Sequence, residues 1–125
     1  MLQVIACSNE GIVWAIRLDN IIGTWQRVGQ NIDFKTLAGA QVSYASAIPG
    51  RLDIFIVGTD EKLYGTWWTE ATGWENDHNW SMVAGDSQTF KMSKDGNLTA
   101  ISRVNGQIEI YSTDSDQNMW KNWWS

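Results

Sequence analysis

Cysteine, proline and histidine each occur once in these 125 residues. A single thiol, Cys7, forms no internal disulfide, and with only His78 beside it there is no Cys/His set to hold a metal. Cys7 lies in the apolar run Val4-Ile5-Ala6-Cys7, where a thiol reads as a small buried hydrophobe. Basic residues are also scarce: nine Lys and Arg face fourteen Asp and Glu, a net charge of −5. Nucleic-acid backbones and anionic membranes need clustered cations, so neither is an expected partner. No apolar run approaches the roughly 20 residues of a membrane-spanning helix. Residues 1–16 show neither a basic start nor a small-residue cleavage site, so no signal peptide is expected and the compartment stays open. No segment of any length carries a helical period.

What the chain has in excess is tryptophan, nine residues beside three Tyr and three Phe. Indole offers a large apolar face and one N–H, which suits half-exposed positions where one side packs and the other meets a ligand. With 43% hydrophobic and 18% charged residues, the composition is that of a globular chain of about one domain.

The stretch Arg51–Trp68 organises the rest. Leu52–Val57 is rich in β-branched and aromatic residues, Gly58-Thr59-Asp60-Glu61-Lys62 is turn chemistry, and Leu63–Trp68 resumes with Tyr and Trp, which is the pattern of a β-hairpin. It recurs at Ile108–Trp124, 56 residues on, where Tyr64 falls on Trp120, Trp67 on Trp123 and Trp68 on Trp124. A third copy starts at Leu2, 50 residues before Leu52, and reaches Trp14. Trp25–Gly29 (Trp-x-x-Val-Gly) and Trp80–Gly85 (Trp-x-x-Val-Ala-Gly) mark a further short strand closing on glycine.

Short strands in units of about 50 residues, with aromatic marks at fixed offsets, predict an all-β chain of β-propeller blades. The units span 2–29, 34–85 and 90–125 within a single repeat domain. The first lacks a leading strand, the middle one has four strands, and the last stops at its third. Ten strands are too few to close a ring, and incomplete end blades leave edges that invite association. The expectation is a ring completed by homo-oligomerisation, a dimer being favoured over a trimer. A compact sandwich of the same strands is the alternative.

The segment Ser43–Gly85, with its core Ser-x-Ala-x-Pro-Gly-Arg-Leu-Asp-Ile-Phe-x-x-Gly-Thr-Asp-x-x-Leu-Tyr-x-x-Trp-Trp, resembles the repeat of bacterial PLL-type (Photorhabdus-type) β-propeller lectins. Units one and two, with Ile12-Val13-Trp14-Ala15 before Trp25-x-x-Val-Gly, also resemble tectonin repeats. Both resemblances imply a propeller that binds glycans, fucose or related sugars in the first case. The length departs from those families, which usually close a propeller within one chain.

Sugars present C–H faces that stack on indole and hydroxyls that need short polar partners. The stretch Gly73–Trp80, longer than its counterpart before Trp25, offers both. Trp68, Trp74 and Trp80 are the candidate stacking platforms, with Asn76, Asp77 and His78 as hydrogen-bonding groups. Against this, a recurring Trp in stacked blades is commonly inter-blade core. Trp74 has no counterpart in the first unit and is expected to be dispensable for stability. A glycoside hydrolase would need two carboxylates about 5 to 10 Å apart across a cleft. Asp53 and Asp60 instead recur as Glu109 and Asp116, as turn and edge residues do, so a non-enzymatic binding module is expected, without cofactor or metal. A purely structural or protein-binding propeller fragment is the remaining reading.

Overall fold

The computed structural model describes residues 2–18, 23–29, 34–37, 40–74, 79–83, 91–93 and 98–124, with residues 122–124 described by backbone alone. Within them the chain is all-β, without a helix, and the strands form three antiparallel sheets. The first contains β1 (Gln3–Cys7), β2 (Val13–Arg17) and β3 (Gln26–Arg27). The second is four-stranded: β4 (Ser43–Ala45), β5 (Arg51–Val57), β6 (Leu63–Thr69) and β7 (Ser81–Met82). The third holds β8 (Leu98–Ile101), β9 (Ile108–Thr113) and β10 (Met119–Trp124). Each sheet is a simple meander in chain order.

The repeat read from the sequence is reproduced bond for bond in the hairpin turns. Ser8, Gly58 and Asp114 each donate their amide to the carbonyl four residues on, at 2.9, 2.8 and 2.9 Å. Gly11, Glu61 and Gln117 donate back to those same three residues and all sit in the left-handed region, at φ 78°, 65° and 67°. The segment after each unit then clips onto the turn. Thr36 donates its amide to the Gly11 carbonyl at 3.0 Å, and Met92, 56 residues later, donates to Glu61 at 2.7 Å. At Gly11 the glycine is required by space as well as by φ, because a Cβ would collide with the Thr36 carbonyl oxygen.

The middle sheet is covered on both faces. Leu52, Ile54 and Ile56 of β5 turn to the first sheet, where they pack with Val13, Ala15 and Val28. Phe55 turns the other way, joining Ala45, Leu63, Leu98, Ile108 and Ile110 at the third sheet. That double burial is why β5 is buried without a break from Leu52 to Ile56, Asp53 included, whereas β9, buried on one face, alternates. Each fully buried Ile or Phe removes apolar surface from water worth about 1.5–3 kcal/mol, so the two seams hold the stack together. Polar bonds cross them as well. The Trp80 indole N–H donates to the Val28 carbonyl at 3.0 Å, and the Ser43 hydroxyl donates to that of Leu98. The valine of Trp-x-x-Val-Gly is thus both core and acceptor.

Candidate functional site

A cleft of about 220 Å³ opens between the first and second sheets. One wall is the strand surface of the first sheet, with Gln3 on β1, Ala15 and Arg17 on β2, and Gln26 on β3. The other wall comes from the end of β6 and the turn after it: Trp68, Glu70, Thr72, Gly73 and Trp74.

Local bonding fixes that turn. The Thr69 and Thr72 hydroxyls are hydrogen-bonded to each other, and the Thr72 amide donates to Thr69 Oγ1 at 3.1 Å. Gly73, at φ 64°, donates its amide to the Thr69 carbonyl at 2.7 Å, and Glu70 donates its own to the Gly50 carbonyl at 2.8 Å. The chain is thereby folded back so that the Trp74 indole reaches across to the first sheet. Its Nε1 donates to the Gln3 side-chain oxygen at 3.0 Å, closing one end of the cleft. The result is a small opening with a guanidinium, a carboxylate, two carboxamides and a hydroxyl set around indole edges. That array can take a ligand rich in hydroxyl groups with one apolar side.

Trp68, Trp74 and Trp80 are only 6%, 2% and 6% exposed and belong to one apolar cluster. None offers an open indole face. Trp68 and Trp74 border the cleft. Trp80 stacks on Phe34 at 5.0 Å and 24° between planes and spends its N–H on Val28. Trp74 is therefore part of the seam between the sheets, and the expectation that it is dispensable for stability does not fit its burial. Asn76, Asp77 and His78 lie outside the described residues. Among the described side chains, the exposed tryptophans are Trp25 and Trp120. Trp25 holds the motif position of Trp80, yet among the described residues no sheet lies over it as the first sheet lies over Trp80.

The sequence reading passed over Gln3, Arg17, Gln26, Glu70 and Thr72. One signal for Arg17 was available: the repeat places Trp67 and Trp123 at its position, so it is the point where the first unit breaks the pattern. In the second unit that position looks different. Arg51 forks onto the Asp53 carboxylate at 3.0 and 2.8 Å and lies 5.1 Å over the Trp67 ring. In the third, Arg103 and Lys121 reach Glu109 at 2.6 and 3.3 Å and hold its carboxyl down to about 2, chiefly through the Arg103 hydrogen bonds.

No protein-family model matches the chain, and no curated protein does. Solved structures do. A mutant of Aleuria aurantia lectin in complex with Fucα1-6GlcNAc superposes with a TM-score of 0.63 at 21% identity, covering 98% of this chain and 36% of that one. The fucose lectin from Kordia zhangzhouensis in complex with methyl-fucoside gives 0.61 at 16% identity, covering 98% and 82%. The Aleuria lectin mutant with α-methyl-L-fucoside gives 0.59 at 21%, again over 98% and 36%. The chain thus spans about a third of the Aleuria lectin's length. At these identities the likeness is one of fold, that of fucose lectins of the β-propeller type.

Proposed function

We propose that this chain is a non-enzymatic lectin module that binds a neutral hexose or deoxyhexose of fucose type in the cleft between its first two sheets. The observation that carries the reading is the cleft's lining: Arg17 and Glu70 with Gln3, Gln26 and Thr72, beside Trp68 and Trp74. A guanidinium donates in a fixed fork that suits adjacent sugar oxygens, and a carboxylate accepts from a sugar hydroxyl. The indole edges supply an apolar margin for ring C–H groups or a methyl. Asn76, Asp77 and His78, shortly after Trp74 in the chain, act in this proposal as further hydrogen-bonding groups. Trp80 shapes the wall from behind. The fold shared with two fucose lectins supports the same choice of ligand. The three sheets act as blades of one repeat domain of PLL type, and association into a homo-oligomer, dimer before trimer, repeats the site and raises avidity for clustered glycans.

The test is calorimetric titration with methyl α-L-fucoside and a glycan array, on the wild type and on Arg17→Ala. Loss of a charged hydrogen bond worth roughly 1.5–3 kcal/mol should weaken binding about 10- to 150-fold. A wild type that binds no glycan, or an Arg17→Ala variant that binds as well, overturns the proposal. Light scattering at micromolar concentration tests the oligomer, and a monodisperse 14.1 kDa species refutes it.

A further inference from the structure

The turn between β8 and β9 sits on the seam between the second and third sheets. It consists of Val104-Asn105-Gly106-Gln107, and the Gln107 amide closes it on the Val104 carbonyl at 3.0 Å. Gly106 is at φ 82°, and Asn105 ahead of it takes no left-handed φ; together these define a type II turn. The second unit makes the same turn with Pro49-Gly50. There Gly50 is at φ 77° and the Arg51 amide closes on the Ile48 carbonyl at 3.3 Å. In both units a serine hydroxyl braces the turn, Ser46 donating to the Ile48 carbonyl and Ser102 to that of Val104, at 3.1 and 3.2 Å. Two features set the third unit's turn apart. Its second position is an exposed asparagine, which opens the one Asn-Gly pair in the sequence. The Gly106 amide also leaves its own sheet and donates to the Ala47 carbonyl, just beyond β4, at 2.8 Å.

We propose that Asn105-Gly106 is a modification site, an intramolecular deamidation that the closed seam suppresses and that opening of the seam releases. The reaction is a ring closure. The Gly106 nitrogen attacks the side-chain carbonyl carbon of Asn105. The new C–N bond forms, the bond from that carbon to Nδ2 breaks, and ammonia leaves with the proton that the Gly106 amide gave up. Water then opens the five-membered imide at either carbonyl. One opening gives aspartate; the other gives isoaspartate, with the main chain rerouted through the side chain. Glycine favours the attack because it puts no Cβ beside the nitrogen, and a Cβ built there would meet nothing within 4 Å, so that side of the turn is open. The folded turn blocks the reaction twice. A type II turn holds its second residue at ψ of about 120°. In that conformation the next nitrogen eclipses Hα, whereas ring closure needs it over Cβ, a third of a rotation away. The Gly106 amide must also give up its proton, which in the fold lies on the Ala47 carbonyl. Both blocks lift together when the Gly106–Ala47 bond opens and the turn comes away from the second sheet. Four residues before Ala47, the Ser43 hydroxyl holds the same seam through the Leu98 carbonyl, so losing it lets the turn stand open more of the time.

The test is peptide mapping of the full chain by mass spectrometry after incubation at mildly alkaline pH, in buffer and in concentrated urea. Trypsin releases Val104–Lys121, whose fragment ions separate Asn105 from Asn118. Asn105 should convert readily in urea and at least tenfold more slowly in the folded chain. Ser43→Ala should speed conversion of the folded chain about fivefold and leave the rate in urea unchanged. Asn105→Pro, which copies the second unit's turn, should remove the mass gain and keep the circular dichroism. Hydrogen exchange of the Gly106 amide in the wild type reads the same opening without a variant. Folding should slow that exchange, and should slow conversion at least as much, because conversion needs the rotation as well. Equal conversion in buffer and in urea overturns the proposal, as does conversion less protected than the Gly106 amide. A folded Ser43→Ala chain that converts no faster than the wild type also overturns it, since the seam would then not be the gate. None of these outcomes depends on whether the cleft holds a sugar.

Discussion

The Tyr64 hydroxyl donates to the Asp60 carboxylate across 2.6 Å, tying the start of β6 to the turn before it. Fifty-six residues on, the Trp120 indole makes the equivalent link at 2.6 Å, but to Asp114, which holds the place of Gly58. The two solutions exclude each other. A Cβ at Gly58 would stand 2.9 Å from the Asp60 carboxylate and 3.0 Å from the Tyr64 ring. In the second unit, with Tyr64, the acid comes from the third turn position and the first is glycine. In the third, with Trp120, the first position carries the acid, and the first unit, with Trp14 and Ser8, follows neither arrangement.

The tyrosine link predicts an alkaline titration. The Asp60 hydrogen bond first, then partial burial and the carboxylate's charge, push the Tyr64 phenol up to about 12, against about 10 in an unfolded chain. A phenol raised in the folded state adds stability that is fully present below pH 10 and is lost as pH rises from 10 to 12. Absorbance of phenolate against pH should show one tyrosine titrating late. Asp60→Asn should bring that midpoint back toward 10, and a midpoint that stays at 12 would refute the assignment.

Glu109 predicts the opposite limb. Its carboxyl is held down to about 2 by the Arg103 fork and by Lys121, so its contribution is present above pH 4.5 and fades as pH falls from 4.5 to 2. Arg103→Ala should raise the carboxyl's midpoint in carbon-detected NMR, yet leave it below the ordinary value because Lys121 remains 3.3 Å away. A midpoint unmoved by the substitution would show that the fork does not set it.

The three left-handed turn positions predict a stability change of either sign. Glu61 adopts φ 65° with a side chain attached, a conformation that costs an L-residue about 1–2 kcal/mol. Glu61→Gly removes that strain at some entropic expense in the unfolded chain and should stabilise by about 0.5–1 kcal/mol. Gly11→Ala meets the Thr36 carbonyl as well as the unfavourable φ and should destabilise by more than 1 kcal/mol. Urea denaturation measures both, and equal midpoints for the two variants would contradict this account of the turns.

The hairpins were the legible part of this fold, because their signals are local. Turn residues at fixed offsets and paired aromatics place β5–β6 and β9–β10 within a residue or two of where they lie. The cleft was not legible, because its walls come from separate units. Gln3, Arg17 and Gln26 are each unremarked in a strand, and only packing against the β6–β7 turn makes them neighbours. Trp74 was misjudged for a related reason. Lacking a counterpart in the first unit, it reads as a surface addition, yet the bond from Gly73 to Thr69 folds the insertion inward and sets its indole against Gln3.

Trp74 and Arg17 together separate packing from recognition. Trp74 is buried in the seam and hydrogen-bonded to Gln3, so Trp74→Ala should cost about 3–5 kcal/mol and lower the melting temperature sharply. Trp74→Phe keeps most of the ring but removes the donor, leaving the Gln3 oxygen to find another, and should cost about 1–2 kcal/mol. Arg17, exposed at the end of β2, should be replaceable by Ala with a change of less than about 1 kcal/mol. If the cleft is the sugar site, binding should follow a different order. Arg17→Ala should lose most affinity in a stable protein, whereas Trp74→Phe should retain measurable binding in a weakened one. Thermal melts and sugar titrations on the same three variants decide it. Affinity that merely tracks melting temperature across them would mean that the cleft only holds the sheets together.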